Sequence, residues 1–235
     1  MSLLGVEALA RLKLELGSNA FAAQYLQRPA DDSASLIKRG WWRFYRPEHV
    51  RPDAQRPAGC DDATTAIDLP ETFERITIGV DLTFGSTTGD FAVAQAWGAS
   101  AGRRFLLAQW RARAGFEVSL KEILKLATTY PTAKILIEKA ANGAAVIETL
   151  QKAIPGVVAV KPIGKKEARI GSIAPAVESG ACYLPLGAPW LGDFVEELAG
   201  ATAHDDQADA AAYAFSDLAR DAPMFYPGGS MSSES

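Results

Sequence analysis

The chain has 235 residues, 48% of them hydrophobic and 22% charged, with a formal net charge of −4. That length buries a proper core in one domain plus extensions, and the composition is that of a globular chain rather than a disordered or fibrous one. No run approaches the ~18 apolar residues of a membrane span, no basic-then-apolar leader is expected at the N-terminus, and the acidic balance excludes a generally basic nucleic-acid binder while leaving room for a local basic groove.

Residues 1 to 29 carry Leu9, Leu12 and Leu16 at helical spacing and read as a helix followed by a shorter one. Trp41, Trp42, Phe44 and Tyr45 form an aromatic knot expected to pack on the main domain, because four aromatics are costly to leave in water. Pro47, Pro52, Pro57 and Pro70 mark residues 47 to 70 as a linker or meandering loop. From Arg75 the pattern changes. Strands are expected over 75–82, 90–97 and 103–111, and their short Gly-containing turns imply an antiparallel meander. A helix over 118–130 stops at Pro131, a strand covers 134–138, and a helix over 143–153 stops before Pro155. A fifth strand (157–160), a helix over 165–179 interrupted by Pro175, and a late helix over 206–218 complete the series. Three antiparallel strands followed by alternating helices and strands is the order of the ribonuclease H-like α/β fold, with a mixed five-stranded sheet flanked by helices. The expected layout is an N-terminal helical and linker segment (1–70), a ribonuclease H-like domain (71–222) and a disordered tail (223–235). Cys60 and Cys182 lack metal or redox spacing, consistent with a reducing cytoplasm.

Three acidic groups stand out. Asp81 closes the run IleThrIleGlyValAsp, where an acid is rarely buried unless paired or metal-bound; the competing role is a cap on the turn that follows. Asp90, at the next strand, reads as a turn acid. Glu138 closes IleLeuIle, a strand covered on both faces, and alone it would read as the partner of Lys139 or Lys161. The group His204-Asp205-Asp206-Gln207-Ala208-Asp209 is the most specific. Asp206 and Asp209 share a helix face, and although one acid suits a helix N-cap, three exceed that need. His204 is placed to orient a water or a phosphate. Converging carboxylates make a hard-oxygen site suited to Mg²⁺ or Mn²⁺ and poorly suited to zinc. Lys165, Lys166 and Arg169, at a helix start, suit phosphate as well as they suit a solvated face.

Taken together, ValAspLeuThr (80–83), IleGlu (137–138), HisAspAspGlnAlaAspAla (204–210), LysLysGluAlaArg (165–169) and GluSerGlyAlaCysTyrLeuPro (178–185) resemble the nuclease domain of tailed-phage terminase large subunits. PheAlaAlaGlnTyrLeuGlnArgPro (21–29) with TrpTrpArgPheTyr (41–45) resembles the segment joining that family's ATPase to its nuclease. The resemblance implies a metal-dependent endonuclease that cuts concatemeric double-stranded viral DNA during packaging, inside the bacterial host. By it Asp81, Glu138, Asp206 and Asp209 are catalytic metal ligands for two Mg²⁺ or Mn²⁺ ions, with Asp205 an alternative ligand, and Lys166 and Arg169 face DNA. It also implies an ATPase domain, a small terminase subunit and portal protein as partners. No GxxxxGK[ST] loop is found, so translocation is not expected of this chain alone, which reads as a part beginning just after the motor.

Two other readings stay open at this point. A non-catalytic module that docks DNA or portal would keep its binding when the acids are removed. IleGlyValAspLeuThrPheGlySerThrThrGly also resembles the phosphate hairpin of sugar kinases and actin-like ATPases, but the second domain and second glycine-rich motif those proteins need are not found.

Overall fold

The computed structural model describes residues 35–48, 50, 54–60, 65–82, 91–139, 144–154, 156–200 and 204–219. The helices expected over 1–29, the turn from Thr83 to Asp90 and the tail lie outside the described residues. After a short 3-10 turn at Arg39–Trp41, the chain forms β1 (Arg43–Arg46), β2 (Ile67–Asp68), β3 (Arg75–Asp81), β4 (Ala92–Ser100) and β5 (Arg103–Ala112). Then come α1 (Phe116–Thr129), β6 (Lys134–Glu138), α2 (Ala144–Ala153), β7 (Val157–Val160) and α3 (Lys166–Glu178). Last are β8 (Cys182–Pro185), α4 (Leu191–Leu198) and α5 (Asp206–Leu218).

Among the described residues the strands make one sheet of eight, in the order β2-β1-β8-β5-β4-β3-β6-β7. β3, β4 and β5 are the expected antiparallel meander, and β6 and β7 add in parallel on one side. On the other side β8, β1 and β2 add in parallel, three strands more than the five expected. The aromatic knot thus supplies a strand rather than packing from outside. Phe44 pairs with Leu184 of β8, and Trp42 is fully buried edge-on to Phe194 of α4. These added strands hold only four, two and four residues, too few to display the alternation by which a strand is recognised. Pro175 lies inside α3 without ending it. The freed carbonyls fall near the C-terminus of the helix, where few intrahelical bonds remain to lose.

Alternation along β3 sorts the two cores. Ile78 and Val80 face α1 and α2, joining Ala92, Ala94, Ile123, Ile135 and Leu150. Thr77, Gly79 and Asp81, one residue out of phase, face α5 on the opposite side. There Thr77 donates to Asp217 at 2.9 Å. A second core of Trp42, Trp97, Leu106, Ile173, Phe194 and Phe215 lies under α3, α4 and α5. A bulge between Ala96 and Trp97 brings Leu106 to that face. Nearly every residue of α5 is buried, so it is a core helix and needs small side chains on all sides. Ala210, Ala211, Ala212 and Ala214 meet that need. At Gly79 the approach closes to main chain on main chain, since an added Cβ would lie 1.9 Å from the Ala210 carbonyl oxygen.

Candidate active site

Close docking of α5 on β3 sets the site. Asp81 ends β3 and Glu138 ends the adjacent parallel β6, one past the pair Val80–Ile137. Asp206 and Asp209 occupy the first turn of α5, which begins over the same end of the sheet. Burial drives the Asp81 carboxyl up to about 8, and the charges of Asp209, Glu138 and Asp206 push it the same way, with Arg169 opposing. Asp209 is raised to about 7, first by burial; Arg169 opposes, and Asp205, Glu138 and Asp206 add to the rise. Four carboxylates from three elements therefore share one electrostatic environment, and each makes it harder for the next to ionise.

What holds these acids is specific. Tyr213 of α5, fully buried, donates its hydroxyl to Glu138 Oε2 in a short contact. Burial and that carboxylate raise the phenol's pKa. Arg169 of α3 turns inward, donating to Asp205 at 2.9 Å and forming an ion pair with Asp209. Lys166 donates to the His204 carbonyl at 3.3 Å, and His204 Nδ1 lies 3.9 Å from Asp206.

The cap of α5 comes from an unexpected residue. Asp205 sits at the N-cap position but makes no side-chain cap bond. Glu197 of α4, almost wholly buried, instead accepts the amides of Gln207 and Ala208. A run of buried amides extends the tie to the sheet: Gln95 donates to Gln109 at 2.8 Å, and Gln109 to Gln207 at 2.8 Å. Gln207 then donates to Glu197 at 2.7 Å. Sequence reasoning missed Glu197, Gln95, Gln109 and Tyr213. Only Gln95 left a signal, a lone amide inside the apolar strand AlaValAlaGlnAlaTrp.

The donor set is all oxygen, which fits a hard divalent cation. Among the described residues, however, no three His, Cys, Asp or Glu side chains are drawn together closely enough to hold an ion. Arg169 and Tyr213 occupy the carboxylates that ligation would engage.

A mixed sheet with an antiparallel meander at its centre, parallel strands beside it and acids gathered where β3, β6 and α5 meet defines a ribonuclease H-like domain. The chain belongs to the terminase RNaseH-like domain family, whose model matches residues 78–218, more than half of its length. No curated protein matches it by sequence. Among solved structures, the complete large terminase of a thermophilic bacteriophage is similar with a TM-score of 0.59 at 13% identity, covering 92% of this chain and 53% of that one. The large terminase nuclease of thermophilic phage G20c with bound magnesium gives a TM-score of 0.55 at 18% identity, covering 79% of this chain and 98% of that one. With bound zinc the same nuclease gives 0.52 at 19% identity, covering 75% and 94%. The chain thus spans about half of the first of these large terminases and nearly all of the G20c nuclease.

Among the described residues no helix is long and apolar enough to cross a membrane.

Proposed function

We propose that this chain is a metal-dependent endodeoxyribonuclease that cuts double-stranded concatemeric viral DNA during genome packaging. The observation that carries the reading is the mutual electrostatic coupling of Asp81, Glu138, Asp206 and Asp209 at one end of the sheet. Folding places like charges together at a cost, and a cation that neutralises them recovers it. Asp81, Glu138, Asp206 and Asp209 would hold Mg²⁺ or Mn²⁺, with Asp205 as an alternative. Two such ions lower the pKa of an attacking water and stabilise the leaving 3′ oxygen.

The chain's own groups do the positioning. Tyr213 orients Glu138 by its hydroxyl, and Glu197 with the Gln95–Gln109–Gln207 run fixes the start of α5. Arg169 neutralises Asp205 and Asp209 while they await a cation, and from there its guanidinium reaches for a phosphate when they are engaged. Lys166 faces the DNA backbone beside it. The match to about half of a larger phage terminase chain supports an ATPase motor as partner. The small terminase subunit and portal protein follow from the same reading, in the cytoplasm of the bacterial host.

The test is cleavage of supercoiled and linear duplex DNA with Mg²⁺, Mn²⁺ or chelator, beside Asp81→Ala. Metal-dependent cutting that the variant lacks is expected. Cutting retained by Asp81→Ala sinks the site assignment, and DNA binding without cutting by either metal favours a docking module.

A further inference from the structure

A single phenylalanine beside the acid cluster is shared by two arginines. The guanidinium carbon of Arg111 lies 3.8 Å from the ring centroid of Phe91, and that of Arg113 lies 4.1 Å from it. His204 meets the same ring edge-on at 5.3 Å. Strand register places this group relative to the acids. Asp81 pairs with Val93 and Val93 with Arg111, so the three form one row across the sheet. Directly opposed residues point to the same face, and at ~4.8 Å per strand Arg111 is about 10 Å from Asp81 along the sheet. Arg113 lies just past the end of β5 and is exposed.

The two arginines differ in what holds them. Arg111 is mostly buried and tied to α4, with Nη2 at 3.4 Å from Glu197 and Nη1 at 3.9 Å from Asp193. Arg113 reaches the ring from the solvent side. Two guanidinium groups over one ring repel each other, and an anion received between them relieves that repulsion. Arginine is also the side chain whose rigid fork matches a phosphate while its face stacks on an aromatic. A polyanion approaching four carboxylates needs cations flanking them. Lys166 reaches the main chain of His204 from one side, and Phe91 with its arginines meets the His204 ring from the other.

We propose that Arg113, stacked on Phe91 beside Arg111, is a phosphodiester-binding clamp that positions duplex DNA on the β4–β5 side of the carboxylates. The proposal rests on the nuclease reading and adds the place where the backbone is gripped. Arg113 is a positioning residue in it, since the acids do the chemistry.

The experiment is anisotropy of a labelled duplex in chelator, where nothing is cut, over a series of salt concentrations. It compares the unmodified chain with Arg113→Gln, Arg113→Lys and Lys121→Gln, an exposed lysine of α1 on the opposite face. Melting temperatures are taken in parallel, with Mg²⁺-dependent cleavage of the unmodified chain. Arg113→Gln is expected to weaken binding by about 3- to 10-fold and to flatten the slope of log K against log salt by about one unit. Arg113→Lys keeps the slope but recovers only part of the affinity, and Lys121→Gln changes neither. If the unmodified chain binds and Arg113→Gln matches it in affinity and slope, the clamp is wrong and the nuclease reading stands. An unmodified chain that neither binds duplex nor cuts it with metal removes both.

Discussion

The carboxylate of Glu197 accepts the main-chain N–H of Gln207 at 2.6 Å, so the helix carrying the acid cluster is capped by a residue of its neighbour. Helix N-termini leave amides without partners, and an aspartate at the N-cap is the usual remedy. Here α4 supplies it, and Asp205, Asp206 and Asp209 are released for other work. Glu197→Ala removes the acceptor for two buried amides and a contact of Arg111. It is expected to cost about 2–4 kcal/mol, between the loss of a cap and the breaking of a buried charge pair. Glu197→Gln keeps one acceptor and should cost less. Urea denaturation of both variants measures the difference.

Gly79→Ala forces a methyl group against the Ala210 carbonyl, main chain that cannot rotate away. Overpacking of this kind costs about 1–3 kcal/mol. Because relief requires α5 to lift from β3, cleavage by the folded variant should drop at least tenfold, since displacements of about 1 Å cost that much or more. Cleavage by the folded variant at the unmodified rate would show that the close approach is dispensable.

The raised carboxyls set a pH dependence with a definite sign. Asp81 and Asp209 are pushed from an ordinary 3.8 to about 8 and about 7 in the folded chain. Between those limits the folded, metal-free chain binds more protons than the unfolded one, so its stability falls as pH rises from about 4 to about 8 and levels above. Asp217 acts oppositely: despite burial, the Lys134 and Thr77 hydrogen bonds hold it low, and that contribution is lost as pH falls below about 4. Denaturation midpoints of the metal-free protein should therefore decline from about pH 5.5 to about pH 8.5, and Mg²⁺ should restore them most at the upper end. Asp81→Asn should be more stable than the unmodified chain at about pH 8.5 and should cut nothing. A midpoint that rises across this window would contradict the assigned protonation.

Tyr213→Phe deletes the hydroxyl that holds Glu138. Stability should fall by about 1 kcal/mol. If Glu138 ligates metal, loss of its orienting partner should weaken Mn²⁺ binding by about 10-fold, the low end for groups behind a ligand. Calorimetric titration reads this independently of cleavage.

The meander, β6, β7, α5 and the three acid groups were legible because their sequence runs are long enough for periodicity to show and because acids inside apolar runs demand a reason. β8 and α4 were not. CysTyrLeuPro is too short to alternate, and Leu191–Leu198 lies between a Pro-Trp pair and an Ala-Gly pair that reads as loop. Nor does spacing distinguish Glu196 from Glu197. The first forms a half-exposed ion pair with Arg39 at 2.6 Å, and the second is buried at the cap. Arg169 shows the same limit: its basic surroundings suggest an outward-facing residue, while its partners Asp205 and Asp209 arrive from far downstream. Contacts decided by tertiary neighbours leave no local trace.

Side-chain rotamers can drift with substitution or temperature, but main-chain atoms in contact cannot slide past one another. The meeting of Gly79 with Ala210 therefore works as a ruler: it fixes the gap between the strand bearing Asp81 and the helix bearing Asp206 and Asp209. Sequence change in the surrounding core could alter how tightly the domain holds together without altering that gap, and the spacing would be inherited as a property of the backbone.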